Sequence, residues 1–306
     1  MAYALLFSGQ AKQHADMLPW LESAPAAAPV LRQMEAHIGA DWRAALADPL
    51  RRADNGFAQG VITGTALAAW AVLQAAGLPV PLAVAGYSVG ELAAFAAAGA
   101  LSVESAMALA QARARCMDQA VAGLATGLMS VTGMARARAQ ALCHALECAI
   151  DLGPEQAVFA GVDADLNAAL LRLPREGAQC TRLDVRVASH SRWMRPALAP
   201  FEAALHKVAW SPPLCPLALN ATGGLGRQPQ ALRSALVAQV ASTVQWESCM
   251  QALAERQPQC VLEIGAGAAL ARLWNARYPT VPARSIDEFK DVQGILDWLR
   301  RNTAAD

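Results

Sequence analysis

The sequence predicts an α/β protein: a large core of buried strands alternating with helices, interrupted by a small ferredoxin-like insert. Three observations carry this. An apolar run with β character, Leu82 to Ala85, enters Gly86-Tyr87-Ser88-Val89-Gly90 and leaves through an Ala-rich helical pattern, Leu92 to Ala98. The rhythm of elements shortens over 127–187, where two β-α-β units fit into about 60 residues. The chain has 306 residues, 55% hydrophobic and 16% charged, enough for one large domain or one domain with an insertion.

In chain order, residues 3–7 read as a buried strand ending in the polar loop Ser8-Gly9-Gln10-Ala11-Lys12-Gln13. A helical pattern is expected around 17–21, a Pro- and Ala-rich loop over 24–29, and helices over 30–38 and 42–47. A long apolar helix covers 58–76, stopped by Gly77-Leu78-Pro79. After the Gly86–Gly90 turn and its helix, Ser102 is a good N-cap and Glu104 lies in the first turn of a helix reaching about residue 120. Its apolar stripe is Val103, Met107, Ala110, Ala114 and Met117. On a helical wheel Arg113 lies about 80° from the stripe centre and Arg115 about 120°. Arg113 is then either a snorkelled surface residue or, if the stripe packs beside Ser88, a site residue.

Residues 121–127 read as a linker. The insert follows: strand 128–132, helix 135–148, strands 149–152 and 157–161, helix 163–173 and strand 179–187. The last strand, Thr181 to Val187, alternates and delivers the chain to Ala188-Ser189-His190. The larger scale then returns, with helix 194–207, a strand near 215–220, helices near 230–242 and 247–255, strand Cys260 to Ile264, a helix opened by Gly265-Ala-Gly267, a strand near 281–286 and helix 291–301.

Lys+Arg and Asp+Glu are both 25, so no global field points to nucleic acid. The seven cysteines (Cys116, Cys143, Cys148, Cys180, Cys215, Cys249, Cys260) are odd in number, irregularly spaced and without a C-x-x-C, which fits reduced thiols in a cytoplasmic protein better than a disulfide framework or zinc site. The apolar N-terminus lacks a basic flank and reads as a strand rather than a signal peptide, and no apolar stretch reaches membrane-spanning length without turn residues or charges. The acidic residues form no obvious metal cluster.

G-x-S-x-G between a strand and a helix is the setting of a nucleophile elbow. A serine on a sharp turn projects its Oγ, and the following helix aims free N–H groups at a developing oxyanion. The competing reading is an ordinary glycine-rich corner. A serine nucleophile needs a base. His37, His144 and His206 sit in polar helical patterns and are expected to face solvent, while His14 follows the first loop and lies within reach of the site. His190, in a loop between a strand and a helix, is the best candidate, and a structural histidine is the equal alternative. Gly265-Ala-Gly267 resembles half a dinucleotide fingerprint, but Leu270 stands where the third glycine belongs, and tight strand–helix packing is the better reading.

Several segments together carry a family resemblance. Phe7-Ser-Gly-Gln-Ala-Lys-Gln13, Gly86-Tyr-Ser-Val-Gly-Glu91, Gln111-Ala-Arg-Ala-Arg-Cys-Met117, Val187-Ala-Ser-His190 with Met194-Arg-Pro196, Val244-Gln-Trp246 and Glu263-Ile-Gly-Ala-Gly267 resemble, in order over nearly the whole chain, segments of malonyl-CoA:acyl carrier protein transacylases. The resemblance implies an α/β-hydrolase-like core, 1–126 and 188–306, with a ferredoxin-like insert, 127–187. It implies Ser88 as nucleophile and His190 as base in a Ser–His dyad, with a backbone carbonyl near Gln245 orienting the histidine. It implies an oxyanion hole from the backbone N–H groups of Gln10 and Val89, and Arg113 gripping the malonyl carboxylate. Malonyl-CoA would be the substrate, an acidic acyl carrier protein with a thiol arm the acceptor, and no cofactor, nucleic acid or membrane is implied. Arg186, Arg192 and Arg195 bracket His190, either meeting CoA phosphates or the carrier, or forming a solvated rim. Tyr87 and Ala11 depart from the family histidine and glycine, and Ile150-Asp-Leu-Gly153 departs from an asparagine-rich turn. The Y-S-V-G-E, F-S-G-Q and R-V-A-S-H forms look most like the epsilon transferase subunit of bacterial malonate decarboxylase, whose other subunits would then be partners; the alternative within the family is the transacylase of fatty-acid synthesis. Two other classes remain: a hydrolase on the same core, drawing its acid from Asp118, Asp151, Asp163, Asp165 or Asp184, and a non-catalytic acyl-binding subunit.

Overall fold

The computed structural model describes residues 1–10 and 13–304. The Ala11 departure lies outside the described residues. The body of the molecule is a six-stranded sheet built from β1 (Tyr3–Phe7), β2 (Val84–Gly86), β7 (Leu217–Ala218), β8 (Leu225–Gly226), β10 (Cys260–Ile264) and β11 (Ala283–Ser285), in the order β11-β10-β1-β2-β7-β8. All neighbours are parallel except the β7/β8 hairpin at one edge. β1 is buried on both faces, which is why it reads as an unbroken apolar run rather than an alternating one.

A second sheet is made by β3 (Thr126–Thr132), β4 (Glu147–Asp151), β5 (Gln156–Val162), β6 (Gln179–Arg182) and β9 (Val244–Gln245), in the order β6-β3-β5-β4-β9. Its first four strands are antiparallel, and two helices, Arg136–Leu142 and Asp163–Arg172, cross between them. That is the β-α-β-β-α-β arrangement expected of the insert. β9 comes from the large part of the chain and pairs in parallel with β4, Ile150 opposite Val244 and Asp151 opposite Gln245. The next helix, Trp246–Ala254, then returns to the core shared with β2 and β7.

Some elements differ from expectation for local reasons. Residues 17–21 form turns, because Pro19 disfavours the α conformation at Leu18, whose φ is +48°. The helix expected to reach 148 ends at Leu142, and β4 starts early, at Glu147. β6 stops at Arg182 instead of 187, since the chain leaves the sheet and crosses toward the large domain. The helix Asn55–Ala75 is the one described helix long and apolar enough to cross a membrane, and 89% of that window is buried inside the protein.

Candidate active site

Parallel strands gather the site. Phe7 pairs with Gly86 on one side and Ile264 on the other, so the segments that follow β1, β2 and β10 emerge together at the carboxyl end of the sheet. Crevices at this end are where open α/β sheets bind ligands. The turn after β2 is sharp. Ser88 has φ +55°, a left-handed conformation that costs a serine about 1–3 kcal/mol and persists only when its surroundings impose it. A Cβ on Gly90 would lie 2.4 Å from the Phe7 carbonyl oxygen, and one on Gly86 would lie 2.2 Å from the Gly90 backbone, so glycine at both positions is what lets the elbow close. Asn220 clamps it: Oδ1 accepts from the Ser88 N–H at 2.8 Å, Nδ2 donates to the Gly86 carbonyl at 2.7 Å, and its own N–H donates to Glu91 Oε1 at 2.7 Å.

Ser88 Oγ and His190 Nε2 are 2.7 Å apart. His190 also has positive φ, +61°, and its N–H donates to the Val240 carbonyl at 2.9 Å. Its Nδ1 lies 2.5 Å from the carbonyl oxygen of Gln239. A carbonyl only accepts, so Nδ1 carries the proton and Nε2 offers its lone pair to the serine hydroxyl. Gln245, the expected neighbour of this acceptor, is not part of it: its N–H donates to Asn220 O and its Nε2 to Thr243 O. Gln239 wins because it terminates the helix Pro229–Ala238, where carbonyls are left without helical partners. None of the five aspartates occupies the third position of a triad. Asp118 holds Asn55, Asp151 pairs with Arg136, Asp163 with Arg182 and Asp184 with Arg52, while Asp165 lines a cavity between the insert helices.

Arg113 lies at the site and not on the rim. It is 1% exposed, and its Nη2 reaches Ser88 Oγ at 3.4 Å and Gln239 Oε1 at 3.3 Å, while Nη1 donates to Gln59 Oε1 at 2.9 Å. Its Nε is buried without a hydrogen-bond partner among the described residues. Burial pulls its pKa down to about 10, against the opposing field of Glu91, and it stays protonated at neutral pH. Burial first and the Arg113 charge second hold His190 down at about 3, against the raising effect of its bond to Gln239, so the imidazole is neutral. Glu91 is fully buried, and burial pushes it up to about 8. A neutral base on a serine beside a buried arginine can generate an alkoxide and hold a carboxylate next to it.

The backbone N–H groups of Gln10 and Val89 have no hydrogen-bond partner among the described residues. Val89 is the residue before the helix Gly90–Ala97, and Gln10 follows Gly9, whose missing Cβ would sit 2.4 Å from the Tyr87 carbonyl oxygen. The Gly265–Gly267 turn is used internally: Glu263 accepts from Ser8 Oγ and Ala271 N–H, and Asp287 accepts from Gly267 N–H, so protein carboxylates already serve these donors. His14 is exposed and lies 3.5 Å from Asp287, while His37, His144 and His206 face solvent. Arg192 is bound to Glu147 and stacks over Trp193, whereas Arg186 and Arg195 are exposed with no acidic partner among the described residues. Gln59, Asn220, Glu91 and the Gln239 side chain were not foreseen. The signal for Gln59 was present, as an uncharged amide in an apolar helix, which must find a partner when buried.

Residues 4–295 match the family model described as acyl transferase domain. The chain is 31% identical over 312 residues to the malonyl CoA-acyl carrier protein transacylase of Mycobacterium tuberculosis, covering 96% of this chain and 99% of that one. It resembles the solved malonyl-CoA:acyl carrier protein transacylase of Xanthomonas oryzae, with TM-score 0.89, 28% identity and coverage of 97% and 99%. It also resembles a malonyl-transacylase solved in complex with its type II PKS acyl-carrier protein, with TM-score 0.89, 25% identity and coverage of 98% and 100%.

Proposed function

The chain belongs to the acyl transferase domain family, and from that premise we propose that this acyltransferase moves a malonyl group from malonyl-CoA, through an ester on Ser88, to the thiol arm of an acyl carrier protein. The observation that carries the reading is the Ser88–His190–Gln239 chain with buried Arg113 beside the serine. His190 Nε2 takes the Ser88 proton as Oγ attacks the thioester carbonyl. The oxyanion forms against the N–H groups of Gln10 and Val89. As it collapses, the C–S bond breaks and CoA leaves with the proton that His190 returns. In the second half the carrier thiol gives its proton to His190, its sulfur attacks the ester, and Ser88 leaves as the hydroxyl. Arg113 binds the free malonyl carboxylate, a bidentate match that selects a carboxylate over a neutral acyl tail.

Residues 1–126 and 188–306 form the catalytic body in this reading and 127–187 the insert, and the protein works in the cytoplasm. A carbonyl rather than a carboxylate on His190 favours transfer over the hydrolase alternative, which would draw on one of the five aspartates and would not need Arg113. The relatives reported are malonyl CoA-acyl carrier protein transacylases, so the reading stays with an acyl carrier protein. The malonate decarboxylase carrier is the finer version, resting on the sequence forms at Phe7–Gln10, Tyr87–Glu91 and Arg186–His190. Intact-protein mass spectrometry after mixing with malonyl-CoA tests it. Wild type is expected to gain one malonyl group, Ser88→Ala none, and Arg113→Ala little. Free malonate without an adduct would mean a hydrolase, and binding with no chemistry would mean an acyl-binding subunit. Offering the acylated protein a phosphopantetheine carrier and a phosphoribosyl-dephospho-CoA carrier in turn decides the acceptor.

A further inference from the structure

A chain of amides links Arg113 to the molecular surface. Arg113 Nη1 donates to Gln59 Oε1 at 2.9 Å, and Gln59 Nε2 donates to Asn55 Oδ1 at 2.7 Å. Asn55 Nδ2 donates to the Ala114 carbonyl at 3.3 Å and to Asp118 Oδ1 at 3.0 Å. Arg113, Gln59 and Asn55 are all buried, and Asp118 is exposed at the far end.

Each link has a direction. A carbonyl and a carboxylate can only accept, so Asn55 must turn its NH2 group toward Ala114 and Asp118. Its Oδ1 is then left facing Gln59, which must present its own NH2 group there. Gln59 Oε1 is thereby turned to Arg113, the orientation in which an amide accepts from a cation. The remaining contact of Gln59, Nε2 to Met117 Sδ at 3.7 Å, is to a weak acceptor and does not set the flip. A flipped Gln59 would bury an NH2 group against the guanidinium and leave its oxygen on the wrong side, an unsatisfied arrangement that Arg113 would relieve by rotating.

We propose that Asn55 is a positioning residue for the carboxylate clamp: it locks the Gln59 amide with its oxygen toward Arg113, and so aims the rest of the guanidinium at the acyl carboxylate. This rests on the reading that Arg113 binds the malonyl carboxylate. The position is not the helix cap. Asp54, not Asn55, caps the helix Asn55–Ala75 by accepting from the Phe57 N–H. Asn55 also borders an open surface cleft shared with Asp118, Leu124 and Arg186.

The test compares Asn55→Leu, near-isosteric and unable to hydrogen-bond, with Asp118→Ala, which removes one of the two acceptors holding Asn55. Acylation of Ser88 is measured with malonyl-CoA and with acetyl-CoA, which lacks the carboxylate. Asn55→Leu is expected to lower kcat/KM for malonyl-CoA about tenfold, equivalent to ~1.4 kcal/mol. The acetyl-CoA value stays within about twofold of wild type. Asp118→Ala gives a smaller fall with the same selectivity. In a Ser88→Ala background, Asn55→Leu weakens malonyl-CoA binding and leaves CoA binding unchanged. Equal losses with both substrates, or no loss with either, would overturn the proposal and leave Asn55 a structural residue. Should Asn55→Leu fail to fold, Asp118→Ala carries the same comparison. A wild type that forms no malonyl ester removes the transferase reading and this proposal with it; a wild type that acylates beside an Asn55→Leu that keeps its malonyl preference removes the proposal alone.

Discussion

His190 is held at about 3 by burial first and the Arg113 charge second, an odd state for the base that the proposed function makes of it until the proposed substrate is considered. In the proposed reading a malonyl carboxylate on Arg113 would offset the second cause, so the substrate would make its own base stronger. Arg113→Ala should therefore raise the His190 pKa, measured by NMR titration of the imidazole, and an unchanged value would break this coupling. The same depression has a stability consequence. Between about 3 and the unfolded value near 6.5 the unfolded chain binds the proton and the native protein does not, so the contribution of His190 to stability rises with pH across that window and is complete above it. Burying an arginine that a helical wheel placed at the margin of its stripe is a non-local outcome. The wheel described the helix Val103–Ala120 alone, whereas the groups around Arg113 come from elsewhere: Gln59 from the helix Asn55–Ala75, Ser88 from the elbow and Gln239 from the end of the helix Pro229–Ala238.

The elbow works as an element because β1, β2 and the helix Gly90–Ala97 meet without side chains between them. A Cβ at residue 90 would lie 2.4 Å from the Phe7 carbonyl oxygen and 2.7 Å from that of Ser8, both backbone atoms that move only with their strand. Gly90→Ala is expected to cost about 1–3 kcal/mol, lowering Tm by roughly 2–10 °C. It should also slow acylation by at least about tenfold, because a shift of the turn misplaces Ser88 relative to His190. Calorimetry and the malonyl-adduct rate measure the two effects, and an alanine variant that acylates normally would show that the elbow tolerates the displacement. This element was legible in the sequence: a strand, a G-x-S-x-G turn and a helix are local events. The carbonyl serving His190 was legible only in part. Gln245 lies in the quoted Val244-Gln-Trp246 segment, but the acceptor is set by where the helix Pro229–Ala238 stops, which sequence patterns place only within a few residues. Asn220 carried no local signal at all, since its duty exists only once β7 lies beside β2.

At the scale of the whole molecule, the change of rhythm over 127–187 predicted an insert but not how the five-stranded sheet is joined to the six-stranded one. β9 crosses from the large part of the chain into the small sheet and leads directly into the helix behind the elbow, so the two sheets share a strand-to-helix connection as well as the Val187–His190 crossing. With 25 basic and 25 acidic residues there is no net field to draw an acidic carrier protein, so any steering must come from a patch. Arg192 is already committed to Glu147, which leaves Arg186 and Arg195 as the exposed cations flanking His190 without a carboxylate partner among the described residues. Charges of this kind act on encounter more than on the bound complex, and salt screens them over about 10 Å at 0.1 M. Arg195→Glu is therefore expected to slow malonyl transfer from Ser88 to the carrier severalfold at low salt, with the deficit shrinking as salt is raised. Tm and the geometry at Ser88 should not change. Stopped-flow transfer rates across a salt series provide the check. A variant as fast as wild type at low salt would place carrier docking elsewhere, and a deficit that persists at high salt would mean that Arg195 makes a direct contact in the bound complex rather than steering its formation.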